Sequence, residues 1–101
     1  MDFEVVWTDP ALGDAEGIWR YIAQDDPEAA DRIRDGLFAQ SELLSRHPYL
    51  GAVYDRDRSG RTRETSHHVY RIFYEVFEDR KRVEILHVRH GRQAEPKRLR
   101  R

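Results

Sequence analysis

Apolar residues alternate with polar ones at the start of the chain and then recur at helical spacing. Phe3, Val5 and Trp7 occupy alternate positions, which predicts a β-strand. Asp9-Pro10 predicts the start of a helix, with Asp9 as the N-cap and proline in the first helical position. The helical pattern that follows consists of four apolar residues, namely Leu12, Ala15, Trp19 and Ile22.

A second helix is marked by the same signals. Asp26-Pro27 predicts its start, and His47-Pro48 predicts its end near Arg46, because the residue before a proline disfavours helical geometry. Its apolar stripe consists of Ala30, Ile33, Leu37 and Leu44. The short connection between the two helices predicts an antiparallel helical hairpin.

From residue 61 onwards the apolar period becomes two, as in β-strands. Strands are predicted at residues 62–67, 69–77 and 82–90, and the turn at 78–81 is short enough only for an antiparallel hairpin. Residues 48–60 precede them and are predicted to form a polar loop with a solvated Asp-Arg-Asp-Arg run.

The predicted order of elements is β-α-α-β-β-β. This order indicates an α+β fold, in which the helical hairpin packs on one face of an antiparallel sheet and leaves the other face uncovered. We assign residues 1–93 to a single domain and residues 94–101 to a basic C-terminal tail.

The strands carry charged residues among the apolar ones. Tyr70, Ile72, Tyr74 and Val76 share one face of their strand, so Arg71 is expected on the uncovered face. Tyr70 and Tyr74, on the face opposite Arg71, are expected in the core. Neither face of the last strand is purely apolar, and a β-bulge near residues 85–86 would reconcile the pattern.

Charge is distributed unevenly along the chain. Residues 1–45 contain eleven Asp and Glu and three Arg, a net charge of −8, whereas residues 46–101 contain fifteen Lys and Arg and eight Asp and Glu, a net charge of +7. This predicts one acidic and one basic surface, unless the two halves intermix. The chain has no cysteine, no visible signal peptide and no long apolar run, so we expect a soluble cytoplasmic protein without membrane contact.

The basic residues suggest an anion-binding surface. Arginine forks match phosphate and carboxylate groups, and histidine can act as donor or acceptor. The candidates are Arg61, Arg63, Arg71, Arg89 and Arg92, with His67, His68, His87 and His90. The alternative is that the arginines form cross-strand pairs with Glu64, Glu75 and Glu84.

A catalytic reading of the same residues is less specific. Cleavage of RNA through the 2′-hydroxyl would need a base, an acid and a cation, for which Glu64, His87 or His90 and an arginine are available. Any charged strand would offer such a trio. The spacing of His and acidic residues predicts no metal site, and no cofactor is expected.

The chain resembles the RelE/ParE superfamily of toxins from type II toxin–antitoxin systems over nearly its whole length. The matching pieces are weak singly, but they occur in the family's order and spacing. They are Val5-Val6-Trp7-Thr8, Ala11-Leu12, Ala15, Ile18-Trp19, Tyr21-Ile22, Ala29-Ala30, Ile33, His47-Pro48, Gly51, Arg63-Glu64, Tyr70-Arg71-Ile72-Phe73-Tyr74 and Ile85-Leu86-His87-Val88-Arg89-His90-Gly91-Arg92. The resemblance implies a β-α-α-β-β-β fold and a growth-inhibiting toxin held inactive by a cognate antitoxin, ParD-like or related.

The two branches of this superfamily differ in their target. ParE-like members inhibit DNA gyrase, and the His-Gly-Arg ending without any tyrosine after Tyr74 resembles that branch. RelE-like members cleave mRNA in the ribosome, a reading that would make Arg63, Glu64, Arg71, His87, Arg89 and His90 the catalytic candidates. For either target, the expected contact residues are Arg61, Arg63, Arg71, Arg89, His90 and Arg92. A non-toxic nucleic-acid-binding module is the remaining alternative.

Overall fold

Two helices lie against one face of a five-stranded sheet in the computed structural model, which describes residues 2–91. The Arg92 prediction and the tail at 94–101 lie outside the described residues. Along the chain the elements are β1 (Glu4–Trp7), α1 (Asp9–Ala23), α2 (Pro27–Arg46), β2 (Ala52–Val53), β3 (Thr62–His67), β4 (Tyr70–Phe77) and β5 (Arg82–His90). The predicted α+β class, the helical hairpin and the three C-terminal strands are confirmed.

The sheet has the order β1-β5-β4-β3-β2 and is mixed, not purely antiparallel as expected. Four strands pair antiparallel, whereas β1 lies parallel to β5. A parallel pair needs a long crossover, and the two helices with the following strands supply it. The prediction of a plain loop at residues 48–60 was also wrong, because Ala52 and Val53 pair with β3 as an edge strand.

Both helices begin with a capped turn. Thr8 caps α1 by accepting a hydrogen bond from Ala11 N, so the predicted cap was one residue late and Asp9 is already helical. Asp26 caps α2 as expected, accepting from Ala29 N, and α2 ends at Arg46. Each cap therefore satisfies an orphan N–H group of the first turn.

The main core lies between the helices and the sheet. Its fully buried members include Leu37 and Leu44 of α2, which pack against Ile72, Tyr74 and Ile85 of the sheet. The predicted stripe of α2 and the core position of the tyrosines are confirmed. In α1 the stripe is shifted, because Ala11, Ala15, Ile18 and Ile22 face the core while Leu12 remains 44% exposed.

The opposite face of the sheet is partly covered, contrary to the prediction. Phe73 is fully buried on that face by Tyr54 and Leu86, and the rings of Tyr54 and Phe73 meet edge to face at 5.0 Å. Tyr54 directly follows β2, and its N–H donates to Thr62 O at 2.8 Å. A small second core therefore forms on the face that the sequence predicted to be uncovered.

A β-bulge in β5 divides this strand into two halves. Tyr74 pairs with Ile85 and Phe73 pairs with His87, so Leu86 is the extra residue, as the sequence predicted. The Thr8 hydroxyl lies 2.8 Å from Ile85 O and 3.3 Å from Leu86 O. The residue that caps α1 thus also holds the bulge and links the two structural features.

Candidate functional site

The end of β5 is held by a single carboxylate on α1. Because β1 stops at Trp7, the edge of β5 beyond Ile85 has no strand beside it. Asp14 takes that place: its carboxylate accepts from Val88 N at 3.0 Å and from Arg89 Nη1 at 2.7 Å, and it lies 3.2 Å from His87 Nδ1. This cluster fixes the strand end at which sequence analysis placed three target-binding residues.

An open cleft of about 520 Å³ lies beside this cluster, between α1 and the ends of β4 and β5. Gly13 and Gly17 leave one wall of α1 without side chains. Tyr70 and His90 form another wall, with their rings edge to face at 5.6 Å. Burial, followed by the neighbouring Tyr21, raises the pKa of the Tyr70 phenol. The lining of the cleft is mostly apolar and includes Arg89 and His90.

The face of the sheet opposite the helices carries four of the six catalytic candidates. Glu64, Phe73 and His87 form one row across β3, β4 and β5, and Arg71 and Arg89 are direct neighbours in the next row. Each arginine is neutralised by an acid: Arg71 Nη2 lies 2.9 Å from Glu64 Oε1, and Arg89 is held by Asp14.

Phe73 separates the acid and the imidazole of that row. Glu64 and His87 lie two strand spacings apart, roughly 10 Å, and the fully buried Phe73 occupies the position between them. The Arg71 guanidinium stacks over the rings of Phe73 and Tyr54, 5.0 and 5.7 Å from their centroids. Phe73 and the stacked Arg71 therefore occupy the position between Glu64 and His87.

The remaining candidates point elsewhere. Arg63 pairs with Tyr74 and so lies on the helix-covered face, at its edge, where Nη1 donates to Gly51 O at 2.6 Å. His90 pairs with Tyr70 on that same side. The exposed Arg61 lies 3.7 Å from Glu75 Oε2. These basic residues therefore lie on both faces of the sheet. The alternative of cross-strand ion pairs is confirmed for Arg61 with Glu75 and for Arg71 with Glu64, whereas Glu84 pairs at 3.0 Å with Arg82 of its own strand.

The two histidines before β4 serve the turn between β3 and β4. The rings of His67 and His68 meet edge to face at 4.7 Å. His68 has a positive φ of 53°, which turns its side chain back toward His67. Burial, followed by the proximity of His68, lowers the pKa of His67. Within residues 2–91 no group of three His, Asp or Glu residues is arranged to hold a metal ion.

The outer surface of the helical hairpin carries a shallow groove of about 290 Å³. Leu12, Trp19 and Phe38 supply its apolar lining, with Glu16 and Arg34 beside them. Trp19 Nε1 donates to Asp31 Oδ1 at 2.8 Å and so ties the two helices together. All the lining residues belong to the first 45 residues, which carry a net charge of −8. No helix among residues 2–91 is long and apolar enough to cross a membrane.

Sequence reasoning missed the structural roles of Asp14 and Asp57. Asp14 lies three residues after Ala11 and four before Ile18, on the buried side of α1, and an acid on an apolar stripe is a recognisable signal. Asp57 was expected to be solvated but is 4% exposed. Nothing in the alternating Asp-Arg-Asp-Arg run distinguishes it from Asp55, because its burial depends on how the loop closes.

The architecture is that of toxins from toxin–antitoxin systems. The complex RelBE2 from Mycobacterium tuberculosis shares 23% identity with this chain and a TM-score of 0.68, over 89% of this chain and 92% of that chain. The chromosomal ParDE system from P. aeruginosa shares 20% identity and a TM-score of 0.71, over 87% and 95%. A mutant of the E. coli toxin RelE in the free state shares 16% identity and a TM-score of 0.63, over 91% and 86%.

Sequence comparison gives the family. The profile described as "ParE toxin of type II toxin-antitoxin system, parDE" matches residues 5–95. The chain therefore belongs to the ParE toxin family within the RelE/ParE superfamily, and the resemblance drawn from its motifs is confirmed. No curated protein matches it closely enough to count as a relative.

Proposed function

We propose that this toxin inhibits growth by binding DNA gyrase in the cytoplasm, without cleaving RNA. The observation that supports this proposal best is the match to ParE toxins over residues 5–95. The arrangement of the nuclease candidates agrees with it, because Phe73 fills the position between Glu64 and His87, and Arg63 and His90 lie on the other side of the sheet. General acid–base catalysis requires both groups within hydrogen-bond reach of one reacting phosphate.

The proposed target surface is the set of basic residues named from the sequence, Arg61, Arg63, Arg71, Arg89, His90 and Arg92. The exposure of Arg61 and the place of Arg89 and His90 in the cleft lining support their part in it. Arg63 and Arg71 already bind Gly51 O and Glu64, so we expect smaller contributions from them.

We further propose a cognate antitoxin, ParD-like or related, that covers the groove of the helical hairpin. Two of the similar solved structures are toxin–antitoxin systems. The apolar lining and the partly exposed Leu12 offer anchor positions, and the acidic surroundings favour a cationic amphipathic segment. A charge-reversed groove, with Glu16→Lys, should weaken the complex while inhibition of the target remains.

Controlled induction of the chain in a bacterium tests the function. Gyrase inhibition predicts growth arrest with filamentation and DNA-damage signalling while transcripts stay intact, and co-expression of the adjacent antitoxin should restore growth. Arrest with rapid cleavage of translated messages would contradict the proposal. Arrest with neither signature would also contradict it, because gyrase would then not be the target.

A ribosome-dependent endoribonuclease is the second candidate. One observation favours it: Glu64, Arg71, His87 and Arg89 lie on the same face of the sheet in adjoining rows. This alternative predicts that mRNA cleavage disappears in the Arg71→Ala and His87→Ala variants while the fold remains. If neither substitution alters the RNA, the sheet face has no catalytic role.

A further inference from the structure

The loop between β2 and β3, residues 55–61, presents arginines that the fold itself does not use. Arg56 and Arg58 are exposed, and neither forms an ion pair with another residue of the described range 2–91. They alternate with the buried Asp57. Arg61, Arg71, Arg82 and Arg89 are each paired with an acid, whereas Arg56 and Arg58 remain available to a partner.

The loop is held in one conformation by Asp57. Its carboxylate accepts from Ser59 N at 3.0 Å, from Ser59 Oγ at 2.9 Å and from Thr62 N at 3.0 Å. Burial of the carboxyl opposes its ionisation, but the donors of Thr62 and Ser59 outweigh burial and lower the pKa of Asp57 to about 2. Gly60, with φ +72°, closes the turn by donating to Asp57 O at 3.0 Å.

The loop is also anchored to the sheet. Tyr54, at its base, is 2% exposed and packs edge to face on Phe73. Arg71 lies over both rings and is itself paired with Glu64. Internal hydrogen bonds and the packing of Tyr54 fix the loop backbone, which therefore loses little conformational entropy on binding and holds the backbone positions of its two arginines ready for contact.

The charges favour an acidic protein surface over a nucleic acid as the partner. The full chain carries a net charge of −1, with −8 in residues 1–45, so no overall positive field attracts a polyanion to the molecule. The aromatic rings next to the loop, Tyr54 and Phe73, are buried and unable to stack on bases. Arginine forks, by contrast, match single carboxylates in a bidentate manner.

We propose that the β2–β3 loop is a target-recognition surface, on which Arg56 and Arg58 contact a cluster of carboxylates on the protein that this toxin inhibits. The inference deepens the proposed gyrase inhibition and rests on it for the identity of that protein. It adds two residues that the sequence analysis treated as ordinary solvated surface.

The test compares three variants of the full chain in a gyrase supercoiling assay. R56E/R58E reverses both charges, and R20E/R32E makes the same change in charge on the helical hairpin, where both arginines are exposed. We expect R56E/R58E to raise the half-inhibitory toxin concentration at least about tenfold and the control to leave it within about twofold. R56K/R58K, which keeps the charge without the fork, should give an intermediate value, and all variants should unfold at the wild-type temperature within about 2 °C.

The outcomes separate this inference from the proposed function. If wild-type toxin inhibits gyrase and R56E/R58E inhibits equally well, the loop is not a recognition surface although the function stands. If wild-type toxin leaves gyrase unaffected, growth arrest on induction tests the loop instead. Arrest that is lost in R56E/R58E and kept in R20E/R32E supports an acidic target other than gyrase. Arrest unchanged in both overturns the inference, as would salt-dependent binding of the wild type to bare DNA that R56E/R58E abolishes.

Discussion

The two faces of the sheet are stabilised by different kinds of interaction. The helix-covered face is a continuous apolar core, with Leu37, Leu44 and Ile72 fully buried. The other face combines two buried rings, Tyr54 and Phe73, with ion pairs and a loop organised around a buried carboxylate. Apolar burial stabilises the first face independently of pH and salt. Hydrogen bonds and ion pairs stabilise part of the second face, which can therefore carry basic residues for a partner.

The largest effect that tests this comparison is the removal of a ring from the second face. Phe73→Ala should lower the free energy of unfolding by about 3–5 kcal/mol, as much as the truncation of a residue in the main core, because both side chains are fully buried. Leu37→Ala is the matched variant, with an expected loss of about 2–5 kcal/mol. Urea unfolding measures both. A loss below about 1 kcal/mol for Phe73→Ala would mean that Tyr54 does not cover this face.

The second effect concerns pH. The pKa of Asp57 is about 2 in the folded protein against 3.8 for the free side chain, so its stabilisation is complete above about pH 5 and is lost progressively as the pH falls through 2. Asp57→Asn should therefore cost about 2 kcal/mol at pH 7 and progressively less in acid. The exposed Asp55→Asn should stay within about 0.5 kcal/mol throughout. Unfolding curves from pH 7 to pH 2 measure this, and parallel curves for wild type and Asp57→Asn would contradict the assignment.

The third prediction concerns two helix glycines whose replacement by alanine should change the stability of the protein in opposite directions. A Cβ on Gly36 would come within 2.0 Å of His67 Nε2, so Gly36→Ala should destabilise the fold by about 1–3 kcal/mol by displacing that ring. A Cβ on Gly17 would meet nothing within 4 Å, and Gly17→Ala should stabilise the protein by up to about 1 kcal/mol through helix propensity. Thermal unfolding measures both, and equal signs would show that α2 and β3 are not in contact here.

The smallest effect concerns ion pairs. Glu64 and Arg71 have side chains only about a quarter exposed, whereas the pair of Glu16 and Arg20 on α1 is largely in solvent. A double-mutant cycle should give a coupling of about 0.5–1 kcal/mol for the former and about 0.3–0.5 kcal/mol for the latter. If the coupling of the strand pair falls to zero in 1 M salt as readily as that of the helix pair, burial does not protect it.

Local patterns predicted the elements well, and the failures have identifiable causes. The hairpin of helices, the three C-terminal strands and the bulge follow from periodicity and from the Asp-Pro and His-Pro signals. The parallel pairing of β1 was missed because it joins residues some eighty positions apart, about which local pattern says nothing. The burial of Asp57 and the covering of Phe73 depend on loop closure, which a polar run does not reveal.

The candidate site likewise has residues that the sequence indicated and residues whose role only the tertiary structure reveals. The sequence named Arg71 and Arg89 among the candidates, and the structure places them side by side on the face opposite the helices. The same candidate set included Arg63 and His90, which the strand register places on the helix-covered side. Asp14, which holds Arg89 and Val88, lies on a helix more than seventy residues away, so its role requires the tertiary structure.

The most direct test of the central claim is a supercoiling reaction with purified gyrase and toxin. Binding without RNA cleavage predicts that supercoiling stops at toxin concentrations near those of gyrase, that the antitoxin restores it, and that mRNA in a parallel translation reaction stays intact. Undiminished supercoiling at a large excess of folded toxin, together with cleavage of the translated message, would contradict the account and place the activity on the sheet face of Glu64, Arg71 and His87.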